Sequence, residues 1–174
     1  MPAVEALRHR ALASASVVHE LPDWSAVARL ALDLAHGARI AITPSLAADR
    51  PELAQALHGH LLELPHEAPF YSAQDVAVGI VHGVLAVAET GSVLLTQHEP
   101  AERAVSMLAR TAIQVVDRDR VVESLDEVAA WLAANASRVS LTTLVTGPSR
   151  TADIERSLTI GVQGPSDLHL VVLG

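Results

Sequence analysis

No cysteine occurs among the 174 residues, which removes disulfides, thiolate nucleophiles and cysteine-ligated iron–sulfur clusters from the chemistry of this chain. Lysine is missing too: all twelve cations are arginine, so Schiff-base catalysis and the lysine of a P-loop are excluded. Aromatic residues amount to 2% and the net charge is −8, whereas a nucleic-acid partner calls for a basic face and stacking rings. Nucleic acid is therefore not an expected partner. No two of the nine glycines are adjacent or one residue apart, so the sequence has neither a G-x-G-x-x-G loop nor a paired-glycine oxyanion loop. G-x-S-x-G and H-E-x-x-H are absent as well, and dinucleotide binding, serine hydrolysis and zincin chemistry lose their usual sequence support. The longest apolar stretch, Val76 to Ala88, is too short to cross a bilayer, and the N-terminal MPAVEALRHRAL has no secretory h-region. A soluble cytoplasmic protein without a membrane span is expected.

What is present is a core. Half of the composition is apolar, enough for one domain over residues 1–174, with residues 1–20 expected as a loosely held N-terminal arm. Val27, Leu30, Ala31 and Leu34 follow helical spacing until Gly37, and strand-like ARIAIT, Ala38 to Thr43, comes next. Asp49 and Glu52 around Pro51 predict a helix start, with Leu53, Leu57 and Leu61 as its buried stripe up to Pro65. VAVGIV, VLAVA and SVLLT are nearly continuously apolar, as strands covered on both faces are, and are expected near the centre of the sheet. Pro100 opens a helix, Ile113 to Val116 reads as a strand, Ser124 and Glu127 form a capping box, and Leu141 to Val145 and Leu168 to Leu173 read as buried strands. Helices alternating with β-rich runs predict a three-layer α/β fold with a mostly parallel sheet.

Two constellations carry candidate chemistry. Thr146 to Glu155, TGPSRTADIE, packs a Gly-Pro turn, one Arg and two carboxylates behind a strand. The amides after Pro148 and the Arg150 guanidinium fork suit a carboxylate or phosphate at the carboxyl end of that strand, with Gly147, Ser149, Thr151 and Asp153 around it. The alternative is a tight turn whose Arg150 pairs with Asp153 or Glu155, and the residues alone leave both open. In AETGSVLLT, a single carboxylate, Glu89, precedes Thr90, Gly91 and Ser92 between apolar runs. It is either held by the amides of the turn at Gly91 or works as a nucleophile or general base with a raised pKa. His58, His60, Glu63 and His66 lie close in sequence, but His58 and His60 point apart on a helix, so no metal site is expected. Asp117 to Arg120 alternates charges and reads as a self-paired loop.

AETGSVLLT, RAVSMLARTAIQVVD and TGPSRTADIERSLTIGVQGPSDLHLVVL together resemble the lactate-utilisation protein C family, the LUD-domain group, over Asp75 to the C-terminus. The resemblance implies a fold similar to the ribose-phosphate isomerase, glucosamine-phosphate deaminase and CoA-transferase group. It also implies a role in a three-protein system that oxidises L-lactate to pyruvate, with the iron–sulfur clusters on cysteine-rich partner subunits and no cofactor in this chain. The characteristic positions carried over are Glu89, Thr90, Gly91, Arg103, Ser106, Gly147, Ser149, Arg150, Thr151, Asp153, Glu155, Gly161, Gly164, Pro165 and His169. Val84 stands where members usually carry Asp, and Arg110, Thr111 and Ala112 replace a Pro-Pro-x-His run. The chain also looks short at its N-terminus for the family, so an element covering the site is expected to be missing. An accessory subunit, an enzyme acting on a small carboxylate or its CoA ester, and a small-anion sensing module are the three functions these residues admit.

Overall fold

The structure, a computed structural model, describes residues 2–65, 67–139, 141–152, 158–160 and 164–174, with the backbone alone at Phe70 and at residues 150–152 and 158–160. Along the chain run α1 (Ala3–Ala13), β1 (Val17–Leu21), α2 (Trp24–Ala35), β2 (Ile40–Ile42), α3 (Pro44–Asp49) and α4 (Pro51–Leu57). After them come β3 (Val78–His82), β4 (Leu85–Val87), β5 (Ser92–Thr96), α5 (Pro100–Leu108), β6 (Thr111–Asp117), β7 (Val121–Val122) and α6 (Leu125–Asn135). The chain closes with β8 (Thr142–Val145), β9 (Arg150–Ala152), β10 (Leu158–Ile160) and β11 (Asp167–Leu173).

Five strands form one sheet in the order β1-β11-β6-β3-β2, and every neighbouring pair in it is parallel. This is the mostly parallel α/β sheet that the alternating pattern predicts. Side chains alternate across it, so one face carries Ile40, Ile42, Val78, Ile80, Ile113 and Val115 against α2, α3 and α4. The other face meets α1, α5 and the inner side of a second sheet, β7-β4-β5-β8. Helix α6 covers the outer side of that second sheet, where Val128 packs on Leu85, Val87 and Leu94. None of the helices among the described residues is long and apolar enough to cross a membrane.

Local chemistry explains the boundaries. Asp23 caps α2 by accepting from the Ala26 amide at 2.8 Å, and His36 in the left-handed region followed by Gly37 at φ 85° ends it. The Ser124–Glu127 capping box forms as predicted, and Glu99 with Glu102 supplies a second one behind Pro100. The helix expected from Asp49 to Pro65 is shorter: Asp49 closes α3, α4 starts at Pro51 and stops at Leu57, and Leu61 bridges to Ile40. The sheet edge takes those residues, since the Leu62 amide donates to the Ile40 carbonyl at 2.7 Å.

VLAVA and SVLLT are buried on both faces, as their composition requires, but they lie in the second sheet and not at the centre of the parallel one. Residues 141–145 likewise depart from expectation. Strand β8 is an edge strand, antiparallel to β5, with Leu144 41% exposed. The segment expected as a loose arm forms α1 and β1: Leu7 and Ala11 are fully buried, and β1 pairs with β11 from Val17 to Leu21. Full burial of a side chain such as Leu7 is worth roughly 1.5–3 kcal/mol, enough to hold a short helix down.

Candidate functional site

The structure brings the two constellations together. Gly91 at φ 74° turns the chain into β5, and Gly147 at φ 71° turns it out of β8. Because β5 and β8 are neighbours, the two turns sit side by side. Ser92, fully buried, donates to Thr90 Oγ1 at 2.7 Å, and its Oγ lies 2.6 Å from Thr146 Oγ1. Three hydroxyls thus form one chain linking the turns. Both glycines are also contact points for the N-terminal segment. A Cβ at Gly91 would lie 2.6 Å from the Ala11 amide nitrogen, and one at Gly147 would run into the Ser14 carbonyl. The end of α1 therefore closes over both turns, and no side chain fits beneath it.

Beside Thr146 opens a cleft of about 360 Å³ between the two sheets, within the range of small-molecule sites. Its described lining is uncharged. Gly147, Pro148 and Ser149 form one wall with Gly164 and Pro165, and the Ser149 amide donates to the Pro165 carbonyl at 2.9 Å. The floor is amide and hydroxyl. Gln97, 4% exposed, donates through Nε2 to Ser106 Oγ and to the Glu102 carbonyl at 3.3 Å, and its Oε1 accepts from Thr143 Oγ1 at 3.4 Å. Ser106 in turn donates to the Arg103 carbonyl at 3.0 Å. Gln114, on the central strand β6 and 2% exposed, lines the same space, and its Oε1 has no hydrogen-bond partner. Residue types alone did not single out Gln97, Thr143 or Gln114. The available signal was a lone amide inside the apolar run AIQVV.

Arg150 and Thr151 begin β9, which pairs antiparallel with β10, Arg150 opposite Ile160 and Thr151 opposite Thr159. Asp153, Glu155 and Gly161 lie outside the described residues. Glu89 is exposed and not buried in a turn; its Oε2 accepts from the Leu125 amide at 3.1 Å, the first residue of α6, and not from Gly91. A carboxylate at a helix N-terminus stabilises the unpaired amides and the dipole there. Around it runs a second, open cleft of about 600 Å³ lined by His9, Arg10 and Glu123. Among the described residues no three His, Asp or Glu side chains are grouped so as to hold a metal ion.

The Asp117 to Arg120 run pairs outward, not with itself. Arg118 donates to Glu20 at 2.7 Å and to the Gly174 carbonyl, and Asp117 Oδ2 lies 3.2 Å from His82 Nε2. His169 stacks on His19 with ring centroids 5.1 Å apart, their nitrogens 2.9 Å from each other. Burial lowers the pKa of both rings, and for His169 the neighbouring His19 adds to the shift while Asp167 opposes it. Two departures from the family pattern have structural roles here. Val84 joins the apolar cluster of Leu85, Val122 and Trp131, and the Arg110 carbonyl accepts from the Ser166 amide at 2.9 Å, tying α5 to the start of β11.

Over 106 residues the chain is 31% identical to lactate utilization protein C of Geobacillus thermodenitrificans (strain NG80-2), covering 59% of this chain and 44% of that one. To the protein of the same name from Bacillus subtilis (strain 168) it is 33% identical over 97 residues, 53% and 40% of the two chains. The chain thus matches less than half the length of these curated relatives. A crystal structure of a DUF162 family protein from Deinococcus radiodurans shares the fold, with a TM-score of 0.74 at 21% identity over 99% of this chain and 96% of that one. The LUD domain model matches residues 14–173, from the turn after α1 through β11, and the chain belongs to the LUD domain family.

Proposed function

We propose that the chain is a non-redox, ligand-binding subunit of an L-lactate utilisation system whose iron–sulfur clusters reside on cysteine-rich partner proteins. The observation that carries this reading is the junction of the two family turns into one hydroxyl-linked wall beside a cleft, in a chain without a single thiolate. The relatives named lactate utilization protein C supply the metabolic context. For an anionic ligand group the reading takes Arg150, the first residue of β9, because a guanidinium is a planar, permanently charged fork.

The experiment is affinity purification of the tagged chain from its own cells grown on L-lactate, with iron analysis of what accompanies it. Iron-bearing proteins are expected in the eluate, while the chain purified alone is colourless and inert toward lactate. Lactate-dependent reduction of an artificial acceptor by the isolated chain would overturn the division of labour. For the anion, calorimetry with L-lactate and pyruvate should show Arg150→Lys binding about tenfold to a hundredfold more weakly, the loss of one charge-assisted contact. Equal affinity in a folded variant removes Arg150 from the site.

A further inference from the structure

The outer edge of the parallel sheet is closed at Ile40 and open two residues further on. Edge strand β2 alternates the direction of its main-chain groups: the Arg39 carbonyl and the Thr43 amide bond on the β3 side, so those of Ile40 and Ile42 face away from it. At Ile40 both are used. Its amide donates to the His60 carbonyl at 2.9 Å, and its carbonyl accepts from the Leu62 amide at 2.7 Å. Beyond that bridge the segment 62–65 leaves the strand, and among the described residues nothing pairs with the Ile42 amide or carbonyl. The divergence opens a cleft of about 560 Å³, with Ile42 on one side and Leu62, Glu63 and Leu64 on the other. Both Ile42 groups point across it. Ile42 is 4% exposed, and a folded protein rarely leaves the main-chain donor and acceptor of such a residue without partners.

We infer that this cleft is a binding site for a small planar heterocycle with a hydrogen-bond donor and acceptor adjacent on one edge, read by the main-chain N–H and C=O of Ile42. The size and lining are those of a small-molecule site: apolar walls from Pro44, Ala47, Ala54 and Leu64, with a few fixed polar groups to orient what binds. The closed bridge at Ile40 makes the space blind at one end, so an extended peptide has no path through it. A short, flat ligand does. Glu63, exposed, is the only charged residue among those lining the cleft, and a carboxylate there disfavours an anion. Ile42 is also the last residue of β2, and open α/β sheets bind their ligands beyond the carboxyl ends of the strands. The lining shares no residue with the cleft beside Thr146, and the inference stands apart from lactate, Arg150 and iron–sulfur partners.

Three probes of one shape test it on the full chain: indazole, which has the donor and acceptor side by side, indole, which lacks the acceptor, and N-methylindazole, which lacks the donor. Titrations followed by amide NMR read the proposed contact directly. Indazole is expected to bind and to move the Ile42 amide resonance, and each control should bind about tenfold more weakly, as one lost hydrogen bond dictates. Hydrogen exchange checks the premise, since the Ile42 amide should exchange faster than the bonded Ile40 amide and slow down when indazole is added. Ala47→Leu and Ala54→Leu fill the cleft from two different helices with a good helix former. Whichever keeps its Tm should lose about tenfold or more in indazole affinity, and the probe series in wild type decides the case even if neither does. No indazole binding, controls that bind as tightly, an unmoved Ile42 amide, equal protection of Ile40 and Ile42, or unchanged affinity in a folded filled variant would each overturn the inference.

Discussion

Ile113 and Gln114 are consecutive residues on the central strand, and they face opposite layers of the molecule. On the Ile113 side the sheet is filled: branched side chains at Ile40, Ile42, Val78, Ile80 and Val115 meet the helix stripe of Val27, Ala31, Leu53 and Leu57. On the Gln114 side the sheet mixes the small residues Ala41, Gly79 and Ala112 with the buried Val81, Val116, Leu168, Leu170 and Val172, and the layer above it alternates close contact with open space. At Gly79 the backbone of α5 comes so near that a Cβ would lie 2.5 Å from the Val105 carbonyl oxygen. A few residues along, the same layer parts to leave the cleft. The filled face fixes the frame, and the stacked rings of His19 and His169 are a polar exception in it. The other face gives up packing at the cleft, and the orphaned amide sits where packing was given up.

The largest expected effect breaks the comparison from the filled side. Ile113→Ala removes three carbons from a site with no exposure and should cost about 2–5 kcal/mol, with the spread set by how far α2 can collapse into the cavity. Gln114→Met, one residue away, should be neutral or stabilising by about 1 kcal/mol. Urea denaturation of the two variants compares them directly. Similar losses from both would mean that the two faces are equally packed and that the contrast does not hold.

Much of the filled face was legible in the sequence, and much of the other was not, for physical reasons. Helical spacing from Val27 to Leu34, Gly37 as a stop and the apolar ARIAIT define α2 and β2 because those elements bury their faces locally. VLAVA and SVLLT announce burial on both sides equally well. Burial alone does not say which sheet a strand enters, and they form the second one. Leu141 to Val145 looked like a buried strand because three apolar residues outweigh two threonines in a short window, yet β8 lies at an edge. The site split in the same way. Glycines and hydroxyls at 90–92 and 146–149 stood out by type, but their meeting through Ser92 and Thr146 spans 54 positions and belongs to the topology. Gln97 and Gln114 come to line the cleft through long-range geometry alone.

The next effect concerns the loose face. Gly147→Ala places a side chain at φ 71°, where the left-handed backbone costs roughly 1–2 kcal/mol, and drives its Cβ into the Ser14 carbonyl, for a combined loss of about 2–4 kcal/mol. Gly37→Ala is the control, since Gly37 has a positive φ and nothing within 4 Å. It should lose only the backbone share, about 1 kcal/mol. Hydrogen exchange adds the location: in Gly147→Ala the α1 amides should open first, because α1 is what lies on the turn. Identical losses at the two glycines would show that α1 is not pressed onto the site.

The smallest effect sharpens the comparison by testing the polar exception on the filled side. His19 and His169 stack at the β1–β11 seam, and burial lowers the pKa of each ring below the ordinary histidine value of about 6.5. The folded chain therefore binds fewer protons than the unfolded one once the pH falls toward and below that value, and stability rises with pH across the window. The contribution is fully present above about pH 6.5 and declines as the pH drops through the unfolded value toward the lowered folded ones. Protonating both rings also costs their shared hydrogen bond, since two imidazolium ions have donors only and repel. Asp167, the nearby carboxylate that opposes the shift at His169, keeps the loss gradual. Urea midpoints between pH 8 and pH 5 should fall in wild type and flatten in His169→Gln, with β1 amides gaining exchange first as the pH falls. A wild-type profile as flat as that of the variant would show that the pair titrates as it does in water, and that the seam is no weaker than the rest of the filled face.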